Sequence, residues 1–358
     1  MGYEIDFLAL GSETKSGDAI CFRFGQLLGL IQEQRVVVVD GGFNDDGKNV
    51  VNHIRHYYRN IFTAGNPAID LLISTHPDGD HIGGLQYILD NVTVRELWIH
   101  QPWRHATSIH KYINDDRYTH RGTKTRLQKE LDCAYDLVQL ARRKGVTVRE
   151  PFQGLTGLGG VVTVLGPTRE FYHEQLALFR LGGATLPALP NPGMSYEDYR
   201  IETLDDGGGT SPMNETSAIL WVQTNENDRM LFTGDAGVMG LCHALIYSNN
   251  NNIPLSQANV VQIPHHGSRR NVNPVVLNAM LGVPPGIVHQ PVRWAVASCA
   301  INGRPKHPSN RVINAFIRRR CSPLITAGTN IWLYRNAPAR NNVYNPLSGI
   351  PLMQYVND

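Results

Sequence analysis

The chain reads as an α/β protein in which antiparallel hairpins are set among αβ units, and three observations predict it. Arg35-Val36-Val37-Val38-Val39 is an unbroken β-branched run that stops at Asp40-Gly41-Gly42, as a buried strand stops at a turn. Residues 217–223 and 230–233 are apolar runs joined by the polar turn Asn225-Glu226-Asn227-Asp228, which is a hairpin signature. From residue 238 onward, helix-period and strand-like stretches alternate, as they do in αβ units.

Taken in order, residues 3–10 alternate as a strand, 18–24 form a second short strand, and the valine run completes a meander. A helix is expected over 49–60. The apolar run Ile69-Asp70-Leu71-Leu72-Ile73 is a buried strand, followed by a helix over 82–89 and a strand over 96–100. Residues 105–145 turn polar and helical, with Leu127, Leu131, Tyr135 and Val138 on one face, and read as a helical insertion. Strands are expected at 146–148 and 161–165. Residues 181–212 are rich in Gly, Pro, Asn and Asp and read as a long loop, a lid or strap. Helices at 238–247, 274–281 and 309–319 then alternate with strands at 258–263, 294–298 and 324–326. No internal repeat is visible, so one domain spanning 1–358 is expected.

At 358 residues, with 42% hydrophobic and 18% charged residues, the composition is that of a folded globular protein. A formal charge of +2 gives no polyelectrolyte signal, so any nucleic-acid contact has to come from local patches. The five cysteines (Cys21, Cys133, Cys242, Cys299, Cys321) are scattered and never form CxxC, which argues against a disulfide scaffold or a thiolate zinc site. The acidic start Met1-Gly2-Tyr3-Glu4-Ile5-Asp6 lacks the character of a signal peptide, and no apolar stretch approaches the roughly 20 residues that span a bilayer. A cytoplasmic protein with no membrane partner is expected, and its oligomeric state stays open.

The chemistry concentrates in Ser74-Thr75-His76-Pro77-Asp78-Gly79-Asp80-His81-Ile82-Gly83-Gly84, which places four potential metal ligands within six residues behind a buried strand. Imidazoles and carboxylates suit borderline to hard divalent ions. Without cations, carboxylates crowded this way are expected to repel and raise one another's pKa. Three later places extend the set: Asp235 after Phe232-Thr233-Gly234, the pair in Pro264-His265-His266-Gly267-Ser268, and His307 in Lys306-His307-Pro308. Each stands at a strand end or before a helix, where the sites of α/β sheets collect.

With these residues the chain resembles the metallo-β-lactamase superfamily, whose signature is HxHxDH after a strand, a bridging Asp after a later hairpin and a strand-end His beyond it. Asp78 stands where the second His is usual. That HxDxDH variant, with Asn214-Glu215-Thr216-Ser217, Gly234-Asp235 and the PHHGS run, looks most like the metallo-β-lactamase domain of ComEC-type DNA-uptake proteins. The likeness runs from about residue 3 to 325, and the helical insertion and long loop have no counterpart in it. It implies a four-layer αββα sandwich and two divalent ions, Zn²⁺ or Mn²⁺. His76 and Asp78 would hold the first, with Asn214 near the place of a third ligand. Asp80 and His81 would hold the second, with Asp235 bridging. One of His265 and His266 would complete the second ion's set, and which one is open; with His265 as the ligand, His266 joins Asp80 and His307 as the catalytic candidates. Asp40 is expected to fix an imidazole. The oxygen-rich first site favours Mn²⁺ or Mg²⁺ more than a His-rich site does.

Arg269, Arg270, Arg304 and Lys306 gather around the later motifs, and beside a two-ion centre such cations suit a phosphate-bearing substrate. Arg318-Arg319-Arg320 reads as a solvated face, and His53, His56, His105, His110 and His120 as surface histidines. The expected function is metal-dependent hydrolysis of a phosphodiester in a nucleic acid or nucleotide. Hydrolysis of a lactone, thioester or β-lactam is the alternative, and a non-catalytic metal-stabilised interaction module is the third reading.

Overall fold

The structure is a computed structural model that describes residues 1–30, 33–58, 68–109, 112, 120–180, 193–205, 208–304, 306–340 and 347–356. Two seven-stranded sheets lie face to face. The first runs in the order Ile331–Arg335, Gly2–Phe7, Ile20–Gly25, Arg35–Val39, Ala68–Ile73, Thr93–Trp98, Thr147–Arg149. The second runs Cys321–Ile325, Arg293–Ala297, Val260–Gln262, Arg229–Phe232, Ile219–Gln223, Val162–Gly166, Thr156–Gly157. In each sheet the hairpin-connected strands pair antiparallel and the strands of the αβ units pair parallel.

Alternation along the strands sends one set of side chains between the sheets. Phe7, Phe22, Val37, Val39, Leu71 and Ile73 meet Val164, Leu220, Val222, Phe232 and Val260 there, and the rings of Phe7 and Phe232 meet edge to face at 6.2 Å. The other faces are covered by helices. Gly47–Tyr57, Leu85–Asn91 and Asp132–Arg143 bury Val50, Ile54, Ile88 and Val138 against the first sheet. Val238–Asn250, Pro274–Leu281 and Asn310–Arg318 bury Leu241, Leu277 and Phe316 against the second. The result is the four-layer αββα sandwich.

The 105–145 stretch contains the helices Ala106–Ile109, His120–Glu130 and Asp132–Arg143, whose Ile109, Leu127 and Val138 join the outer core of the first sheet; residues 110–111 and 113–119 lie outside the described residues. Of the expected 181–212 loop, residues 181–192 and 206–207 lie outside them too. Residues 193–205 form a strap whose strand Ser195–Tyr196 pairs with Tyr355–Val356.

That strap explains a correction. Arg318 and Arg319 are each 1% exposed and form no solvated face. Arg318 pairs with buried Glu197 at 3.0 Å and Arg319 with Glu202 at 2.8 Å, both carboxylates supplied by the strap. His53 and His105 are also buried, His53 beside Asp6 at 3.2 Å and His105 bonded to Glu150 at 2.8 Å. All five cysteines are unpaired. No helix among the described residues is long and apolar enough to cross a membrane.

Candidate metal centre

The strand Ala68–Ile73 delivers Ser74 to Asp78 at its C-terminal end, and the single helical turn Gly79–Ile82 swings Asp80 and His81 back over it. Gly83 and Gly84 allow the neighbouring loop to approach backbone to backbone: a Cβ on Gly84 would meet Gly41 O at 2.1 Å and Gly47 N at 2.7 Å. Gly41 N–H donates to His81 O at 2.7 Å, and Gly84 N–H to Gly42 O at 3.1 Å, which locks the two loops together.

His76, His81 and Asp235 form one buried group, and Asp80, His81 and His266 a second that shares His81; the donor atoms of each group lie within 4.8 Å of one another. His81 Nε2 is 3.3 Å from Asp235 Oδ1, and His76 Nε2 is 3.5 Å from Asp78 Oδ2 and 3.9 Å from Asp235 Oδ2. His266 Nε2 lies 3.3 Å from Asp80 Oδ2. The buried atoms His76 Nε2, His81 Nε2 and Asp235 Oδ1 make no hydrogen bond. Buried polar atoms left without partners and aimed at one another fit a cation, which satisfies all of them at once.

The far side of each ring is wired to leave Nε2 free. Asp40 accepts from His81 Nδ1 at 2.8 Å, from the Thr75 N–H at 2.8 Å and from the Thr75 hydroxyl at 2.7 Å. Since that hydroxyl donates to Asp40, it accepts from His76 Nδ1 at 3.1 Å. His266 Nδ1 donates to Ser298 O at 2.7 Å. Asn271 donates its amide to Asp235 O at 2.7 Å, so its oxygen faces His265 Nδ1 at 2.9 Å and accepts the proton there. His265 Nε2 is then left 3.5 Å from Asp235 Oδ2.

The two members of the His-His pair therefore serve opposite sides: His266 joins Asp80 and His81, while His265 stands by Asp235. Consecutive left-handed residues, His265 at φ 48° and His266 at φ 55°, turn both imidazoles inward, a backbone cost typical of functional sites. Asn214 stands beside His265. Its backbone N–H and side-chain oxygen bond Ser211, the residue that caps its helical turn, and its amide nitrogen bonds Thr210 and lies 3.1 Å from His265 Nδ1.

The expected mutual raising of the carboxyl pKa values is present, since Asp235 pushes Asp78 and Asp80 upward, but it is outweighed. Burial does press Asp235 upward, but His265 and His81 prevail and hold it well below the usual range. For Asp80, burial pushes up as well, yet His266 and His81 bring it to about 2. The nearest neighbour of each carboxylate is an imidazole rather than another carboxylate, and that reverses the direction.

Sequence reasoning passed over Asp18. It is 2% exposed and accepts from Ser298 Oγ at 2.8 Å and from Gln262 Nε2 at 2.6 Å. Gln262 in turn accepts from the backbone of Thr233 and Gly234, just before Asp235, at 2.9 and 3.0 Å. One buried carboxylate thus ties the Asp235 turn to the carbonyl that orients His266. An isolated Asp after a glycine at a strand start carries no motif that reports this.

A cleft of about 550 Å³ opens beside Asp80 and His266, and Lys15, Phe43, Arg270, Arg304 and His307 line it. Arg269 does not face it: its guanidinium is buried and lies 3.8 Å from Asp205 of the strap. Lys306 is exposed and outside the lining. His307 is placed by the close approach of Pro308 to Gly267, where a Cβ would meet Pro308 Cβ at 2.4 Å. Burial, with the His265 and His266 imidazoles, holds the His307 ring down at about 3.

No curated protein matches the chain. Similar solved structures include a putative metallo-β-lactamase from Thermotoga maritima, at 11% identity over 66% of this chain and 79% of that one, with a TM-score of 0.33. A metallo-β-lactamase from Pontibacter korlensis is similar at 12% identity over 74% of this chain and 86% of that one, with a TM-score of 0.30. At such identities and scores neither carries an argument. The model of the metallo-β-lactamase superfamily, by contrast, matches residues 23–281, a span that includes His76, Asp78, Asp80, His81, Asp235 and the His-His pair. The chain belongs to the metallo-β-lactamase superfamily.

Proposed function

We propose that this superfamily hydrolase cleaves phosphodiesters, in a nucleic acid or a nucleotide. The observation that carries the reading is the cleft lining: Lys15, Arg270 and Arg304 stand around the donor cluster, and Asp80 is the only carboxylate among the described lining residues. A substrate with negative charge on both sides of the reacting bond suits such a rim; a neutral lactam or lactone gains little from it.

In this reading His76, Asp78 and His265 would hold one divalent ion and Asp80, His81 and His266 the other, Asp235 would serve both, and the metals would be Zn²⁺ or Mn²⁺. Bound there, such ions lower the pKa of water and neutralise charge that develops on oxygen. The protein's own residues supply the rest. Asp40, Thr75, Ser298 and Asn271 fix the tautomers, so no imidazole reorients when substrate arrives. Arg270 and Arg304 hold the non-reacting phosphate oxygens. Asp80, at the boundary of cluster and cleft, orients the attacking water. His307 is neutral in neutral solution, so it hydrogen-bonds the leaving oxygen as an imidazole.

The test is to assay the purified chain with Mn²⁺ or Zn²⁺ on bis(p-nitrophenyl) phosphate, on DNA and on a chromogenic β-lactam. Hydrolysis of the phosphodiester, weakened at least tenfold in KM on DNA by Arg270→Ala, supports the reading. Turnover of the β-lactam alone overturns it.

A further inference from the structure

The cleft has a second component that metal and phosphate chemistry leave unused. Phe43 is a half-buried aromatic ring that lines it, and no other aromatic ring packs on Phe43 among the described residues. The turn that carries it is rigid. Asp46 Oδ2 accepts from the Phe43 N–H at 2.9 Å and from the Gly11 N–H at 3.0 Å, which ties the Phe43 turn to the hairpin Leu10–Gly11/Ser16–Gly17. Gly42, at φ 68°, leaves no room for a Cβ, which would meet the Asp46 side chain at 2.7 Å.

Two cations are built into the same wall. Lys15 sits at the end of that hairpin's turn, and Arg304 follows a loop stitched to it: Arg304 N–H donates to Thr14 O at 3.0 Å, Asn302 N–H to Glu13 O at 2.8 Å and Ala300 N–H to Ser16 Oγ at 2.9 Å. Neither Lys15 nor Arg304 has a carboxylate within ion-pair distance among the described residues, and both are exposed in the cleft. Backbone bonds that order this wall while leaving two charges and one ring face unused point to a ligand with an anionic part and a flat part.

We infer that this wall is a nucleotide subsite, with a base stacked on Phe43 and the attached phosphate held by Lys15 and Arg304 next to the donor cluster. The inference rests on the phosphodiesterase reading and adds to it the place where the base of such a substrate is held. Aromatic rings accept any base by its face, and paired cations hold a phosphate by charge. The volume of about 550 Å³ falls within the range of roughly 300–1,000 Å³ that encloses small ligands.

The experiment is calorimetric titration of the full chain, with and without Mn²⁺, using adenosine 5′-monophosphate and ribose 5-phosphate as probes. The expected result is that the nucleotide binds at least tenfold tighter than the sugar phosphate. Phe43→Ala and Phe43→Leu should bring the two within about twofold, while Lys15→Ala/Arg304→Ala weakens both alike. Leucine keeps the apolar bulk without the ring face, so an alanine variant that fails to fold does not decide the matter. Equal binding of the two probes to the wild type, a ratio that survives both Phe43 changes, or no binding of either overturns the subsite. Hydrolysis of bis(p-nitrophenyl) phosphate is scored separately. A base preference without hydrolysis overturns the phosphodiesterase reading and keeps the subsite, and hydrolysis without a base preference does the reverse.

Discussion

The two sides of the metal centre use similar donors but are braced differently. On the Asp80 side, His81 leans on the Asp40 carboxylate at 2.8 Å and His266 on the Ser298 carbonyl at 2.7 Å, and both rings are buried, at 0% and 5% side-chain exposure. On the Asp78 side, His76 leans on the Thr75 hydroxyl at 3.1 Å and His265 on the Asn271 amide at 2.9 Å. There the Asp78 side chain is 44% exposed and that of His265 26%. A negative brace makes an imidazole a stronger donor, and burial holds it still. The lesson is that His81 alone is braced directly by a carboxylate, while His266, His76 and His265 lean on neutral groups, so the proposed ions should bind with unequal affinity.

The largest effect that can break this comparison is at Asp235, the residue proposed to serve both ions. Asp235→Asn should remove both ions, measured as metal content by mass spectrometry, with activity falling by more than the roughly 10–100-fold typical of an outer partner. Asp40→Asn comes next: it should weaken the ion held by His81, which it braces directly, by about 10–100-fold, and the ion held by His76, which it reaches only through Thr75, by less, so that the two halves draw level, read by calorimetric titration. Asp78→Asn should be smaller still, weakening the looser ion by about tenfold and leaving the tighter one in place. Equal losses from the last two variants would mean the halves are not distinct.

The smallest effect lies outside the site and serves as a control. Burial pushes the Asp6 carboxyl up, but His53 and the bidentate Arg340 prevail and hold it at about 2. A depressed folded pKa gives stability that is present above the unfolded value near 3.9 and is lost as pH falls toward 2. Arg340→Gln should therefore move the acid-unfolding midpoint to higher pH in circular dichroism, with metal content unchanged.

Much of the fold and the first half of the site were legible because they are local. The Arg35–Val39 run, the hairpin around Asn225–Asp228 and the HxDxDH loop each write their structure into a few adjacent residues. What stayed illegible depends on partners distant in sequence. The strand Ile331–Arg335 was passed over, although it pairs with Gly2–Phe7 at the other end of the chain. Arg318 and Arg319 read as solvated because nothing nearby is acidic; Glu197 and Glu202 arrive from the strap more than a hundred residues earlier. Arg269 and Arg270 are neighbours with opposite fates, the first buried beside Asp205 of the strap and the second lining the cleft. Which way the His265 ring faces was illegible too, because the Asn271 amide that orients it is itself fixed by the Asp235 carbonyl. The Asp18 carboxylate bonds groups at residues 262 and 298, far from it in sequence.

The central claim is a pair of unequal ion sites that share Asp235, and it is tested most directly by titrating the metal-free chain with Mn²⁺ in a calorimeter, alongside Asp40→Asn. Two ions should bind per wild-type chain in two resolved steps, the tighter of which merges with the weaker in the variant. A single ion per chain, or two steps that Asp40→Asn leaves in place, would contradict it.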